Sequence, residues 1–156
     1  MKRLWKCIIF FAFLLWTAVP SEAAFVLHAS IDSEIDDITA SYVQEVLDTA
    51  VKENADAVVF SINTPGGRVD AATRIRDAIM SSPVYTIAYV SPRAWSAGAL
   101  IAMSSKDIYM MPGASIGAAE PIPATEKNIA ALRAEFKSTA ARTGRNEAAA
   151  GAMVDK

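Results

Sequence analysis

The chain has 156 residues, a length typical of a single domain with a sizeable core. It is 53% hydrophobic and has a formal net charge of −2, without the basic runs that mark nucleic-acid-binding proteins, so we expect no nucleic-acid partner. Its one cysteine, Cys7, belongs to the N-terminal segment described next, and His28 is its one histidine. This composition excludes an internal disulfide in the mature chain and is a poor ligand set for a structural zinc site.

The N-terminus has the three regions of a secretory signal peptide. It begins with the basic residues Lys2, Arg3 and Lys6 and continues with an uncharged run over 7–19. It ends with the small residues Ser21 and Ala23 at the expected cleavage positions. The uncharged run is shorter than the roughly 20 residues that a membrane-spanning helix needs. The sequence therefore predicts a signal peptide over 1–23, cleaved after Ala23, with an uncleaved anchor as the alternative, and an exported domain over 24–156.

Hydrophobic periodicity predicts strands that alternate with helices along the rest of the chain. The predicted strands cover 24–31, 57–62, 85–90 and 108–111, and the predicted helices cover 36–53, 69–80, a segment starting near Trp95, and 125–142. On the first helix, Ile38, Tyr42, Val46 and Ala50 recur at a spacing of four and are expected to face the core. The pattern predicts an α/β domain whose parallel strands are covered by helices.

The sequence ends abruptly. Residues 143–146 break the last long helix, and 147–156 begin another helix, with no terminal strand after it. This ending predicts a truncated chain in which the C-terminal part of the domain is missing.

Two segments rich in small residues follow two of the predicted strands. Pro65-Gly66-Gly67 forms a turn after the strand over 57–62, and Trp95-Ser96-Ala97-Gly98 follows the strand over 85–90. Glycine turns and helix starts supply the backbone N–H donors that a reactive serine needs for its oxyanion. Ser96 also fits a helix-capping role, and the glycines also fit an ordinary turn.

A serine nucleophile needs a base within hydrogen-bond reach. His28 lies within the first predicted strand, and its position favours a structural or surface role. Lysine is the known alternative to histidine, and Lys137 lies beside the apolar stripe of the last long helix, which consists of Ile129, Leu132, Phe136 and Ala140. From spacing alone, Lys137 is better explained as a lysine at the rim of an amphipathic helix, with its stem packed and its amine in water.

The motifs together resemble those of the NfeD family. Members of this family are membrane-associated serine proteases of the Clp protease/crotonase superfamily. The resemblance covers about residues 25–156 and depends on four segments: Ser61-Ile62-Asn63-Thr64-Pro65-Gly66-Gly67, Trp95-Ser96-Ala97-Gly98, the run over 111–119, and the lysine ahead of Thr143-Gly144-Arg145-Asn146. It implies the repeated β-β-α superhelix of that superfamily. Family members continue beyond the point at which this chain ends.

The resemblance also implies roles for four residues. Ser96 would be the nucleophile, Lys137 its general base, and the backbone N–H groups of Gly67 and Ala97 the oxyanion donors. Clp-type proteases place a catalytic histidine about 25 residues after the serine, and the corresponding segment over 120–123 has none, which agrees with a serine–lysine dyad.

Substrate, partner and location follow from the same resemblance. It implies cleavage of hydrophobic peptide segments, such as those of a stomatin-like membrane partner, and we expect Trp95, Met103 and Ile122 to line the site. It further implies no cofactor, a homodimer or larger homo-oligomer, and a membrane-associated protein outside the cytoplasm. Three alternatives stay open: a protease like signal peptide peptidase A, a crotonase-type acyl-CoA enzyme, and a truncated, non-catalytic remnant of the family.

Overall fold

The computed structural model describes residues 23–154, so almost all of the predicted signal peptide lies outside the described residues. Strands and helices alternate as the periodicity predicts. The strands are β1 (Val26–Ile31), β2 (Ala57–Thr64), β3 (Tyr85–Trp95), β4 (Asp107–Met110) and β5 (Ser115–Gly117). The helices are α1 (Asp37–Lys52), α2 (Val69–Ser81), α3 (Ala97–Ser104), α4 (Glu126–Arg142) and α5 (Glu147–Ala152).

All pairings in the five-stranded sheet are parallel, in the order β1-β2-β3-β4, with β5 also paired to β3. On the edge opposite β2, β3 is long enough to pair with two strands. Ile87–Val90 pairs with β4, and Arg93–Trp95 pairs with β5. The carboxyl ends of β2, β3 and β5 therefore lie together at one edge of the sheet, which is where sites of parallel α/β sheets form.

One face of the sheet packs against helices to form the core. Phe60 and Ile62 of β2 are completely buried, and so is the apolar side of α3. The apolar stripe of α2, with Ala72, Ile75 and Ile79, is buried. On α4, Leu132, Phe136 and Ala140 are buried, and Ile129 is half-buried at the edge of the core.

The predicted core face of α1 is right in its second half, where Ala50 is buried and Val46 packs against the core, and wrong in its first half. Ile38 is 79% exposed and Tyr42 is 40% exposed, whereas the buried residues of the helix are Thr39, Ala40, Val43, Leu47 and Ala50. A spacing of four overshoots the 3.6-residue turn by about 40° per step. The series from Ile38 to Ala50 therefore winds around the helix, while alternating steps of three and four keep the real stripe on one side.

β5 is the element that the sequence prediction missed, and β3 extends five residues beyond its predicted end at Val90. A strand of three residues is too short for a periodic pattern to show. Within the described range, no helix combines the length and apolar character that a membrane crossing requires.

Candidate active site

Ser96 lies at a sharp turn between β3 and α3, with φ 49° and ψ −115°. Positive φ is rare and strained for a residue with a side chain, and such residues cluster at functional sites. The side chain of Ser96 makes no capping hydrogen bond to α3, although those of Asp36, Thr125 and Asn146 cap the helices that they precede. The capping explanation of Ser96 is therefore wrong, and its hydroxyl is half-buried and not engaged by the helix.

The backbone at Ser96 is held by β5. The N–H of Ser96 donates to the carbonyl of Gly117 over 2.7 Å. One residue earlier, Nε1 of Trp95 donates to Oγ of Ser115 over 2.8 Å. These contacts fix both sides of the turn, so the strained conformation is determined by its surroundings.

The glycine turn after β2 lies directly against Ser96. A Cβ added to Gly66 would lie 2.7 Å from Cβ of Ser96, and Gly66 has φ +115°. Both the contact and the backbone angle require glycine here. The turn therefore brings the backbone of residues 66 and 67 next to the serine.

Two backbone N–H groups near Ser96 have no hydrogen-bond acceptor among residues 23–154, those of Gly67 and Ala97. The N–H of Ile35 donates to Gly66, and that of Arg68 donates to Ile35, each over 2.8 Å. Because successive residues of an extended segment direct their backbone groups to opposite sides, the N–H of Gly67 points away from Ile35. Ala97 is the first residue of α3, where N–H groups are unpaired and the helix dipole favours negative charge. The two predicted oxyanion donors are therefore free to bind an anion.

A cleft of about 670 Å³ opens beside Ser96 and Gly67. Apolar side chains form part of its wall, among them Ile122, Leu132 and Val69, and Ile122 is 98% exposed. Of the three residues expected to line the site, Ile122 does so. Met103 is 2% exposed within α3, so its predicted place in the site is wrong. Trp95 lies outside the cleft wall, where Arg93 stacks on its ring at 5.0 Å.

A cluster of ion pairs borders the cleft. Arg68 pairs with Asp70 at 2.5 Å and with Asp37 at 3.1 Å, and Arg74 pairs with Asp37 at 2.6 Å. The hydrogen bond from Arg68 lowers the pKa of Asp70 to about 2, and Asp70 and Asp37 raise the pKa of Arg68. Although exposed ion pairs contribute little individually, this cluster joins the first turns of α1 and α2 to the residue that follows Gly67.

Lys137 is exposed on α4, and no hydrogen bond joins it to Ser96 within the described chain. Its stem packs on α5, since a Cβ added to Gly151 would lie 2.9 Å from Cε of Lys137. The same end of α5 contacts the Ser96 turn, because Met153 packs against Gly117, whose carbonyl accepts from Ser96. Lys137 and the strand that holds Ser96 therefore both pack on the end of this short segment, and no hydrogen bond joins the two residues in the part of the chain that the structure describes.

His28 takes part in a different contact. It is exposed on β1, and its Nε2 lies 2.7 Å from Oγ of Ser61 on β2. The pair lies within the regular sheet, in agreement with a structural or surface role for His28. No cluster of three or more metal-ligating side chains occurs in the part of the chain that the structure describes.

The sequence reasoning missed several residues of the cleft wall, including Glu34 and Leu132. Glu34 comes to the cleft because the adjacent Ile35 forms a bridge with Gly67, a contact between segments about 30 residues apart. Leu132 was assigned to the core stripe of α4, and it is indeed buried while also facing the cleft. No local pattern marks either residue.

Residues 25–156 match the sequence profile of the NfeD1b N-terminal domain. The chain is 35% identical over 130 residues to the membrane protein NfeD1b of Bacillus subtilis, covering 80% of this chain and 30% of that protein. It is 32% identical over 169 aligned positions to the membrane-bound protease PH1510 of Pyrococcus horikoshii, covering 100% of this chain and 38% of that protein. The chain thus spans about a third of the length of these relatives.

Solved structures give the same assignment. A serine-to-alanine mutant of the 1510-N membrane-bound stomatin-specific protease superposes with a TM-score of 0.83 at 33% identity, covering 86% of this chain and 71% of that one. A lysine-to-alanine mutant of 1510-N in complex with a substrate peptide gives 0.80 at 34% identity, covering 84% and 66%. ClpP1 from Listeria monocytogenes gives 0.70 at 21% identity over 83% and 79% of the two chains, which shows a Clp protease-like fold.

Proposed function

The chain belongs to the family of the NfeD1b N-terminal domain, and on that basis we propose that it is a serine endopeptidase in which Ser96 is the nucleophile and Lys137 its general base. The observation that carries the proposal is the turn at Ser96. Its hydroxyl does not cap α3, and it lies beside two backbone N–H groups that have no acceptor among residues 23–154. A protease needs this combination, since the donors stabilise charge that develops on the substrate oxygen.

In the proposed reaction, neutral Lys137 takes the proton from Oγ of Ser96 as Oγ attacks the peptide carbonyl. The negative oxygen of the tetrahedral intermediate accepts from the N–H groups of Gly67 and Ala97. The C–N bond then breaks, the leaving amine takes the proton from Nζ, and water hydrolyses the acyl-enzyme. No step needs a cofactor.

For this reaction, Nζ of Lys137 has to come within hydrogen-bond distance of Oγ of Ser96. Catalytic hydrogen bonds are often formed only in the substrate complex, and lysine has the flexible stem that such a movement needs. We therefore also propose that a bound peptide covers Lys137 and excludes water from its amine. This desolvation favours the neutral form of the base.

The substrate we propose is an apolar peptide segment, such as one from a stomatin-like membrane partner. Ile122, Leu132 and Val69 on the cleft wall support this choice, as does the similarity to a protease described as stomatin-specific. Since both sequence relatives are named as membrane proteins, we also propose that the domain acts at a membrane after export, outside the cytoplasm. The expected homodimer or larger homo-oligomer stays a prediction, to be checked by light scattering.

The dyad is tested by cleavage of an apolar peptide with Lys137→Ala, its matched control Lys127→Ala, and Ser96→Ala. Lys127 is exposed in the first turn of the same helix, so its loss changes charge alone. General-base catalysis contributes about 10²- to 10⁴-fold, and we expect kcat to fall by that range for Lys137→Ala and to stay unchanged for Lys127→Ala. Equal activity of the two lysine variants would remove Lys137 from the mechanism, and an active Ser96→Ala variant would exclude Ser96 as the nucleophile.

A further inference from the structure

Arg145 reaches back about 40 residues to the end of the helix that begins at Ser96. Its Nη1 donates to the carbonyls of Met103 and Ser105 over 3.1 and 2.9 Å. Its Nη2 donates to the carbonyl of Lys106 over 3.0 Å. One guanidinium therefore binds three backbone carbonyls at the C-terminal end of α3.

α3 has no cation of its own for this end. It spans Ala97–Ser104, all of its residues are buried, and it has no basic residue in its last turn. The last carbonyls of a helix lack intrahelical partners and carry the negative end of the helix dipole. Arg145 satisfies carbonyls at this end and complements the dipole, and the planar fork of arginine suits several acceptors at once. Its partial burial lowers its pKa, yet arginine stays charged.

The backbone of Arg145 is fixed to the other half of the site. Its N–H donates to the carbonyl of Ala140, one turn after Lys137 on α4. The next residue, Asn146, caps α5, whose far end contacts Lys137 through Gly151 and β5 through the C-cap residue Met153. Arg145 thus connects α4 and α5 directly to α3.

We propose that Arg145 is a positioning residue that fixes the axial position of α3, and through it the Ser96 turn and the Ala97 N–H, relative to the helix that carries Lys137. This inference rests on the proposed function. An eight-residue helix held in a packed core moves as a unit, so a shift at its C-terminal end reaches its first residue. Displacements of about 1 Å at reacting groups can lower rates about a hundredfold.

The test compares Arg145→Lys with Arg142→Lys. Lysine keeps the charge at position 145 and loses the fork, and Arg142 is an exposed arginine in the last turn of α4. We expect Arg145→Lys to lower kcat roughly 10- to 100-fold with KM within about twofold, and to shift the ¹⁵N–¹H resonance of Ala97. We expect Arg142→Lys to change neither.

The outcomes separate this inference from the proposed function. If Ser96→Ala stays active, the proposed role of Ser96 fails, and the Ala97 resonance still reports whether Arg145 positions α3. If Arg145→Lys leaves both kcat and the Ala97 resonance unchanged, the positioning role is wrong. A kcat that returns to the wild-type value at low temperature, where the variant is fully folded by circular dichroism, would reduce Arg145 to a stability role.

Discussion

Two serines of this molecule have complementary surroundings. Ser61 has a base, since His28 Nε2 lies 2.7 Å from its hydroxyl, but it lies within a strand that is paired on both sides, so nearby N–H groups belong to the sheet. Among residues 23–154, Ser96 has no hydrogen bond to a base, but it lies on a strained turn beside the N–H groups of Gly67 and Ala97, which have no acceptor in that range. A base can reach a serine by a change of side-chain conformation, whereas backbone N–H donors are fixed in place by the fold. The comparison therefore favours Ser96 as the reactive serine.

The largest expected difference is in cleavage of an apolar peptide by Ser96→Ala and Ser61→Ala. Loss of a nucleophile lowers kcat by about a thousandfold or more, and we expect this for Ser96→Ala. Ser61→Ala removes only an exposed hydrogen bond and is expected to retain kcat within about twofold. A large loss in Ser61→Ala with an active Ser96→Ala would reverse the comparison.

The next largest effect is expected for Gly66→Ala. The added Cβ would lie 2.7 Å from Cβ of Ser96, which displaces the turn and the Gly67 donor, so we expect kcat to fall by about 10² and the free energy of unfolding to fall by about 1–3 kcal/mol. Gly113→Ala is the control: its φ is +80°, but nothing lies within 4 Å of the added Cβ. It should cost about 1–2 kcal/mol from backbone strain and leave kcat unchanged. Peptide cleavage measures kcat of both variants, and urea unfolding measures their stability. Equal kcat values for Gly66→Ala and Gly113→Ala would show that the close approach of Gly66 to Ser96 does not matter for catalysis.

A smaller effect concerns the ion pair that anchors α4 near Lys137. Nη2 of Arg76 lies 2.7 Å from Oε2 of Glu135, and the Arg76 side chain is 10% exposed whereas that of Glu135 is 40% exposed. Glu135→Gln leaves the buried guanidinium without this partner. Because Glu135 is partly solvated, we expect a loss of about 1–2 kcal/mol, less than the full cost of breaking a buried pair. Urea unfolding measures it, with the exposed Glu45→Gln as a control expected to change stability by less than about 0.5 kcal/mol.

The smallest effect is the pH dependence of the cluster beside Gly67. The pKa of Asp70 is lowered to about 2 from its model-compound value of 3.8, so the unfolded state binds the proton more readily. The stabilisation from the Asp70–Arg68 pair is therefore present above about pH 4 and is lost as the pH falls toward 2. Melting temperatures of the wild type and Asp70→Asn should differ between pH 4 and 6 and converge near pH 2. A difference that stays constant across this range would contradict the assignment.

The sequence predicted most of the elements and the glycine turn at 65–67, because helix and strand periods and glycine turns are local signals. It did not predict which side of α1 is buried, since a spacing of four is close to a helical turn but drifts around the helix, as Ile38 and Tyr42 show. It also placed Met103 in the site. Every residue of α3 is buried, so the sequence of this helix has no polar side from which the direction of Met103 could be predicted.

The contacts that sequence reasoning missed are long-range. Ile35 reaches Gly67, β5 holds Ser96, and Arg145 binds the end of α3, all through chain segments far apart in sequence. The run Gly144-Arg145-Asn146 was informative as a family motif, but the reason for its arginine becomes visible only when the two helices are brought together.

The account depends on Ser96 being the reactive serine, and mapping the adduct of a fluorophosphonate probe by peptide mass spectrometry tests this most directly. We expect a single modified peptide that contains Ser96, with labelling abolished in Ser96→Ala and unchanged in Ser61→Ala and His28→Ala. Modification of Ser61 in the wild type, lost in His28→Ala, would contradict it, because a hydrogen-bonded base would then matter more than the oxyanion donors at the Ser96 turn.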